Sequence, residues 1–159
     1  MTAREVFFAL VVMAGVGCAT LALSQDQEPK ASETLVKKAR FAATLAGGTV
    51  TLQARIWIDL MPGPGSRPPP VRIAGKLLFL DQAHPGAVAV SRLWLVPSNE
   101  DPVEVPILSS QATQEGTRVT GAVRPSKDLP GRGWVVAEVK TPGGNLFIRS
   151  AETNIAKVH

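Results

Sequence analysis

The chain has one cysteine, no tyrosine and two histidines among 159 residues. A single Cys18 forms no intramolecular disulfide, so a folded body has to rest on its apolar core. His84 precedes Pro85 and His159 ends the chain, and neither has a second ligand-type residue at motif spacing. His-x-His, Cys-x-x-Cys and His-Glu-x-x-His are missing, which removes the basis for a zinc or copper site. Also missing are an Asp-x-Asp-x-Asp-Gly calcium loop, a glycine-rich phosphate loop and the Gly-x-Ser-x-Gly elbow of serine hydrolases. Asp59 and Asp81 at strand ends could pair as acid and base, but aspartates there ordinarily form solvated turns. The expectation is a chain with no catalytic, metal or cofactor-binding residues. Aromatics make up 5% of the sequence. The net charge of +4 comes from basic residues scattered singly, apart from Lys37-Lys38-Ala39-Arg40. Nucleic-acid modules concentrate charge on one face and interleave stacking aromatics, so nucleic acid is not an expected partner.

What the chain does have is proline, glycine and one long apolar run. Fourteen glycines and 13 prolines, with every proline after Glu28, exclude a long helical bundle. The apolar content of 45% excludes wholesale disorder.

Val6 to Leu23 carries no charge, follows Arg4, and switches abruptly to Ser24-Gln25-Asp26-Gln27-Glu28. A basic start, an apolar stretch and small residues before a polar segment describe a secretory signal. Ala22-Leu23-Ser24 fits the small-x-small rule, so cleavage is expected between Ser24 and Gln25. Two rival readings share the same residues. Cys18 could be lipidated, although Gly15-Val16-Gly17 lacks the leucine usual upstream of such a cysteine. The run could also stay as an anchor, since eighteen residues reach roughly 27 Å as a helix. Lys30, Lys37, Lys38 and Arg40 after the run argue against exporting that side of an anchor. In each reading the body lies outside the cytoplasm, secreted or in the cell envelope, with membrane contact only through this segment. The expected organisation is a signal peptide over 1–24, a polar lead-in over 25–39 and one domain over 40–159.

In the body, Val50, Leu52, Ala54, Ile56, Ile58 and Leu60 alternate with Thr49, Thr51, Gln53, Arg55, Trp57 and Asp59. Period two over such a length, rich in β-branched types, predicts a half-buried strand. Before it, 32–46 fits either a helix capped by Ser32 and ended by Gly47-Gly48, or a strand from Arg40 to Leu45 turning through Ala46-Gly47-Gly48; the favoured reading is a short helical or irregular lead-in and then that strand. Further strands are predicted over Val71–Leu80, Ala87–Val96, Thr117–Arg124, Trp134–Lys140, a short run at 146–148 and Thr153–Val158. The second of these, Ala87–Val96, should be buried on both faces, with Leu78 and Leu80 among its neighbours. Pro106 demotes the run Val103–Ile107 to a sheet edge, and Gln111–Gly116 reads as a loop. Short strands divided by Pro/Gly turns predict an all-β fold, specifically an antiparallel sandwich of seven to nine strands after the signal helix.

Leu129-Pro130-Gly131-Arg132-Gly133-Trp134, the strand after it and the turn Pro142-Gly143-Gly144 resemble the last strands of bacterial immunoglobulin-like and fibronectin-III-like domains. Trp134 stands where those domains usually have tyrosine. The resemblance implies an immunoglobulin-like sandwich and no active site.

With no catalytic constellation, the expected function is non-catalytic, acting through contact with a protein partner. Trp57 is the feature that points to a surface. It sits on the polar side of its strand, beside Arg55, and an exposed indole calls for a cover or a partner. Pro62–Pro70 favours polyproline II, and its Pro68, Pro69 and Pro70 could lie flat on the ring. The expected interaction surface is therefore Trp57, Arg55, Pro68, Pro69 and Pro70, unless the proline segment or the lead-in covers the indole. The alternative is a glycan or small-ligand module built on an exposed tryptophan, a reading weakened by the absence of tyrosine.

Overall fold

The computed structural model describes residues 31–45, 47–60, 69–80, 88–126 and 128–159. The apolar run, Cys18, Ser24, Gln25, Pro62–Pro68 and His84 lie outside the described residues. Among the described residues, no helix is long and apolar enough to cross a membrane.

The described chain is predominantly β. One helix, α1 (Ala31–Lys38), precedes β1 (Ala42–Leu45), β2 (Gly48–Asp59), β3 (Val71–Phe79), β4 (Val90–Pro97), β5 (Val103–Glu104) and β6 (Ile107–Thr113). Then come β7 (Gly116–Val123), β8 (Arg132–Thr141), β9 (Gly144–Arg149) and β10 (Thr153–Val158). The strands hydrogen-bond in the order β5-β4-β8-β10-β2-β3-β7-β6, with β1 added to β2 and β9 to β8. The result is a curled mixed sheet whose inward rows enclose one core. Val50, Leu52 and Ile56 of β2, and Ile73 and Leu77 of β3, pack in the same buried cluster as Leu93 and Leu95 of β4 and Val135 of β8. The alternation read in β2 is observed: Ile56 is 2% exposed, while Gln53 and Arg55 are exposed.

Four features differ from the expected strand pattern. The described residues form ten strands, because the run from Val103 to Thr113 supplies two, β5 and β6, where one was expected. The sheet is not wholly antiparallel: β10 runs parallel to β2, with Ile155 opposite Ile56. The edge run Val103–Ile107 is two strands, since its chain pairs with β4 and then leaves to pair with β7. Pro106, which has no N–H to give a ladder, sits at this change of partner. Val105 beside it is buried and donates its N–H to the Leu93 carbonyl at 2.8 Å. Fourth, Gln111–Thr113 is not loop but the end of β6, closing on β7 through a turn at Gln114 and Glu115.

The expected double burial of β4 is observed, and its cause is α1. Leu93 and Leu95 face the main core, whereas Trp94 and Val96 face outward into a second cluster with Val136 and Ala39. Leu35 and Val36 of α1 cover that cluster, together with Trp134 and Phe147, and Ala39 lies one turn on from Leu35, donating its N–H to the Leu35 carbonyl at 2.9 Å. Ser32 lies within the described helix, Ala31–Lys38, and not ahead of it. Lys37 and Lys38 occupy its last turn, where the helix dipole favours cations. The Lys38 ammonium lies 4.2 Å from the Phe147 ring centroid. Leu80 departs from expectation in the other direction: it is 61% exposed, past the end of β3.

β8 shares one edge between two partners, β9 along Val136–Thr141 and β10 along Arg132–Gly133. Ser150 fills the interval. Its hydroxyl accepts the Val135 N–H at 3.0 Å and donates to the Ala151 carbonyl at 2.7 Å, with the residue 1% exposed. Ser150→Ala leaves a buried N–H without that acceptor and is expected to lower stability by about 1–3 kcal/mol. Urea unfolding of the two proteins measures it as a lower midpoint with an unchanged slope.

Candidate functional site

The outward row of the β2–β3–β7 layer follows from parity and register. If Ile56, Ile73 and Val119 face the core, then Arg55, Trp57, Arg72, Ala74, Lys76, Arg118 and Thr120 face out. Register then sets their neighbours. Gln53 lies opposite Lys76, which lies opposite Arg118; Arg55 lies opposite Ala74, which lies opposite Thr120; Trp57 lies opposite Arg72. Arg124, past the end of β7, continues the same parity. Cations that are scattered in sequence thus converge on one face. Their spacing along the chain hides this, and only the pairing of three strands reveals it.

Two of these cations are neutralised locally. The Arg72 Nε donates to the Asp59 carboxylate at 3.0 Å, so this strand-end aspartate is engaged in an ion pair. Lys76 bonds to Glu115 in the β6–β7 turn, and that hydrogen bond holds the Glu115 carboxyl below its ordinary range. Arg55, Arg118 and Arg124 are exposed and have no ion-pair partner among the described residues. The face is therefore cationic after its internal pairs are counted.

The face is also concave. Small Ala74 and Gly75 form the floor of a depression of about 860 Å³ rimmed by Arg55, Lys76 and Arg118, with Gln53 and Thr120 beside them. The depression runs across β2 into the gap between β1 and β10, where Phe41, Ser150 and Thr153 line it. This gap exists because β1 pairs with β2 only up to Thr51 and β10 joins from Ile56 onward. A second, smaller notch of about 310 Å³ adjoins the first, sharing Arg55 and Ala74. It is lined otherwise by Ile56, Trp57, Ala156 and Val158, all apolar. Val158 is 47% exposed at its mouth.

Trp57 is half-buried on the face opposite Ile56, as its strand position requires. Arg55 and Trp57 are brought together in the notch. Pro69 and Pro70 do not line that notch: Pro69 lines a crevice with Ile58, Val71 and Leu129 at the strand end. The Pro70 carbonyl accepts the Asp59 N–H at 3.1 Å. The lead-in does not cover Trp57 from Ala31 onward either. It covers Trp94 and Trp134 on the other layer, where a wider apolar patch awaits it. Trp134, at the corner that resembles immunoglobulin-like domains, belongs to this outer cluster.

The opposite layer carries a compact polar group. Arg92 donates to Glu104 at 3.0 Å and stacks 4.9 Å from the Trp94 ring centroid. This hydrogen bond raises the Arg92 guanidinium above its ordinary value and lowers the Glu104 carboxyl. Glu138 is buried between these residues and Asn145, whose amide donates to its Oε1. Among the described residues no group of three or more His, Cys, Asp or Glu side chains is placed to hold a metal ion.

No family model, curated protein or solved structure matches the chain.

Proposed function

We propose that this chain is an exported, non-catalytic immunoglobulin-like β-sandwich protein that acts by binding a protein partner in the cell envelope or outside the cell. Its binding surface is the outer face of the β2–β3–β7 layer around Trp57 and Arg55. The observation that supports the reading is the adjacency of an apolar notch holding Trp57 to a cationic depression rimmed by Arg55, Lys76 and Arg118. Apolar and charged subsites side by side suit a polypeptide, which carries both kinds of side chain. Among the described residues lining the two hollows the aromatics are Trp57 in the notch and Phe41 in the depression, which is not the run of successive stacking platforms that single-stranded nucleic acid uses.

A photo-crosslinking residue at position 57 tests the reading, with the same residue at Lys140, an exposed position on β8, as the control. Irradiation of cells is expected to give discrete protein adducts from position 57 and not from position 140. Equal adducts from both positions, or none from position 57, would overturn it.

A further inference from the structure

Resting on that reading, we infer that the partner presents an extended segment in which one apolar side chain is followed, on the same side, by carboxylates at alternate residues. The order of subsites carries this. The notch at Trp57 is apolar apart from Arg55; Arg72, opposite Trp57, is held by Asp59, so the unneutralised cations begin at Arg55, one same-face position along β2. From Arg55 the line of positive charge runs diagonally over Lys76 to Arg118, two strands away. With strand spacing near 4.8 Å and a rise near 3.4 Å per residue, Arg55 and Arg118 stand roughly 12 Å apart at the backbone. Same-side residues of an extended segment recur about every 7 Å, so carboxylates at alternate positions meet successive cations along this diagonal. Lys76 is already bonded to Glu115, and Arg118 also acts on that carboxylate. An incoming acidic group therefore finds Arg55 unneutralised and competes with Glu115 for the other two.

Charge complementarity alone would equally admit an acidic polysaccharide or a nucleic acid. The apolar notch decides between them. A uniformly anionic polymer leaves Trp57, Ala156 and Val158 without matching apolar surface, whereas a leucine-type side chain enters the notch of about 310 Å³ with room to spare and meets the indole. Gln53 and Thr120 beside the cations add neutral hydrogen-bonding groups suited to an amide backbone.

The test uses the full chain and the capped octapeptide Ser-Leu-Ser-Glu-Ser-Glu-Ser-Glu, titrated by tryptophan fluorescence and by calorimetry. Binding is expected to weaken at least tenfold when the three glutamates become glutamines, and about threefold or more when the leucine becomes glycine. Arg55→Glu combined with Arg118→Glu is expected to weaken binding at least tenfold, and added salt to weaken it progressively. Trp57→Ala should abolish most of the fluorescence change, since Trp94 and Trp134 lie on the other layer. Circular dichroism checks that each variant is folded; Arg55 and Arg118 are exposed and Trp57 is half-buried. Equal binding of the glutamine peptide, or no binding at 1 mM, would overturn the inference. So would tighter binding of oligogalacturonate or an oligothymidylate of matched length. Protein adducts at position 57 together with no binding of the octapeptide would leave the binding face standing and remove the acidic partner. No adducts at position 57 would remove the reading beneath it.

Discussion

Ile56→Asp is expected to leave the protein unfolded at 25 °C, whereas Gln53→Asp, three residues earlier on the same strand, should fold normally. Ile56 is 2% exposed in the main core, and its neighbours across the sheet are Ile73 on β3 and Ile155 on β10, both buried. A carboxylate there loses its hydration with no cation or donor of the inward row to meet it. Burying an unpartnered charge in addition to losing the isoleucine contacts costs more than about 4 kcal/mol, a large share of the roughly 5–15 kcal/mol available to a domain. Gln53 is exposed and lies opposite Lys76, so an aspartate there stays hydrated beside a cation and should change stability by less than about 1 kcal/mol. Far-UV and near-UV circular dichroism at neutral pH separate the outcomes. Similar spectra and similar urea midpoints for both variants would mean that β2 presents its other face to the core.

That register is the most legible feature of the amino-acid sequence, because alternation in β2 is long enough for parity alone to decide which row is buried. The same holds for Val71, Ile73, Gly75 and Leu77 in β3, and for Val119 and Gly121 in β7. Local spacing is blind to partnership. Nothing in Thr153–Val158 announces that it pairs in parallel with β2 and also with β8, since parallel and antiparallel ladders ask for the same side chains. The passage of Val103–Thr113 from one layer to the other was visible only as a proline inside a strand-like run. Pro106 marks where the ladder must break but does not reveal which strand the chain joins next.

The candidate site was legible to the same degree. Trp57 and Arg55 stand out on the polar parity of a well-defined strand. Lys76 and Arg118 have the same parity on their own strands, but their place beside Arg55 depends on the order β2-β3-β7. Where the order of strands is unknown, single basic residues read as dispersed. The second apolar cluster was legible only as the double burial of β4, and its cover was not, for a related reason. Trp94, Val96 and Val136 occupy outward positions, and only the docking of α1 on that face explains why they are apolar.

Gly116→Ala should cost about 3 kcal/mol or more, since it meets the closest backbone contact among Gly75, Gly116, Gly121, Gly131, Gly133, Gly143 and Gly144. Gly116 opens β7 directly after the turn at Gln114 and Glu115, and its φ of 152° is one that side chains with a Cβ rarely adopt. The Thr113 hydroxyl donates to the Gly116 carbonyl at 3.0 Å and holds the turn in that conformation. Space is the second obstacle. A Cβ on Gly116 would stand 1.7 Å from the Leu77 carbonyl oxygen and 2.8 Å from its carbon, both backbone atoms of the neighbouring strand. No rotamer change relieves a clash with backbone, so β7 must part from β3 near Leu77 and Leu78, its Cα partners there. Leu77 is fully buried, which carries the disturbance into the core. Gly131→Ala is the matched control, because a Cβ at Gly131 meets nothing within 4 Å. Thermal unfolding is expected to shift strongly downward for Gly116→Ala and to stay within a degree or two for Gly131→Ala. Equal melting temperatures for the two variants would mean that β7 does not approach β3 this closely at Gly116, and the pairing of Leu78 with Gly116 would then be wrong.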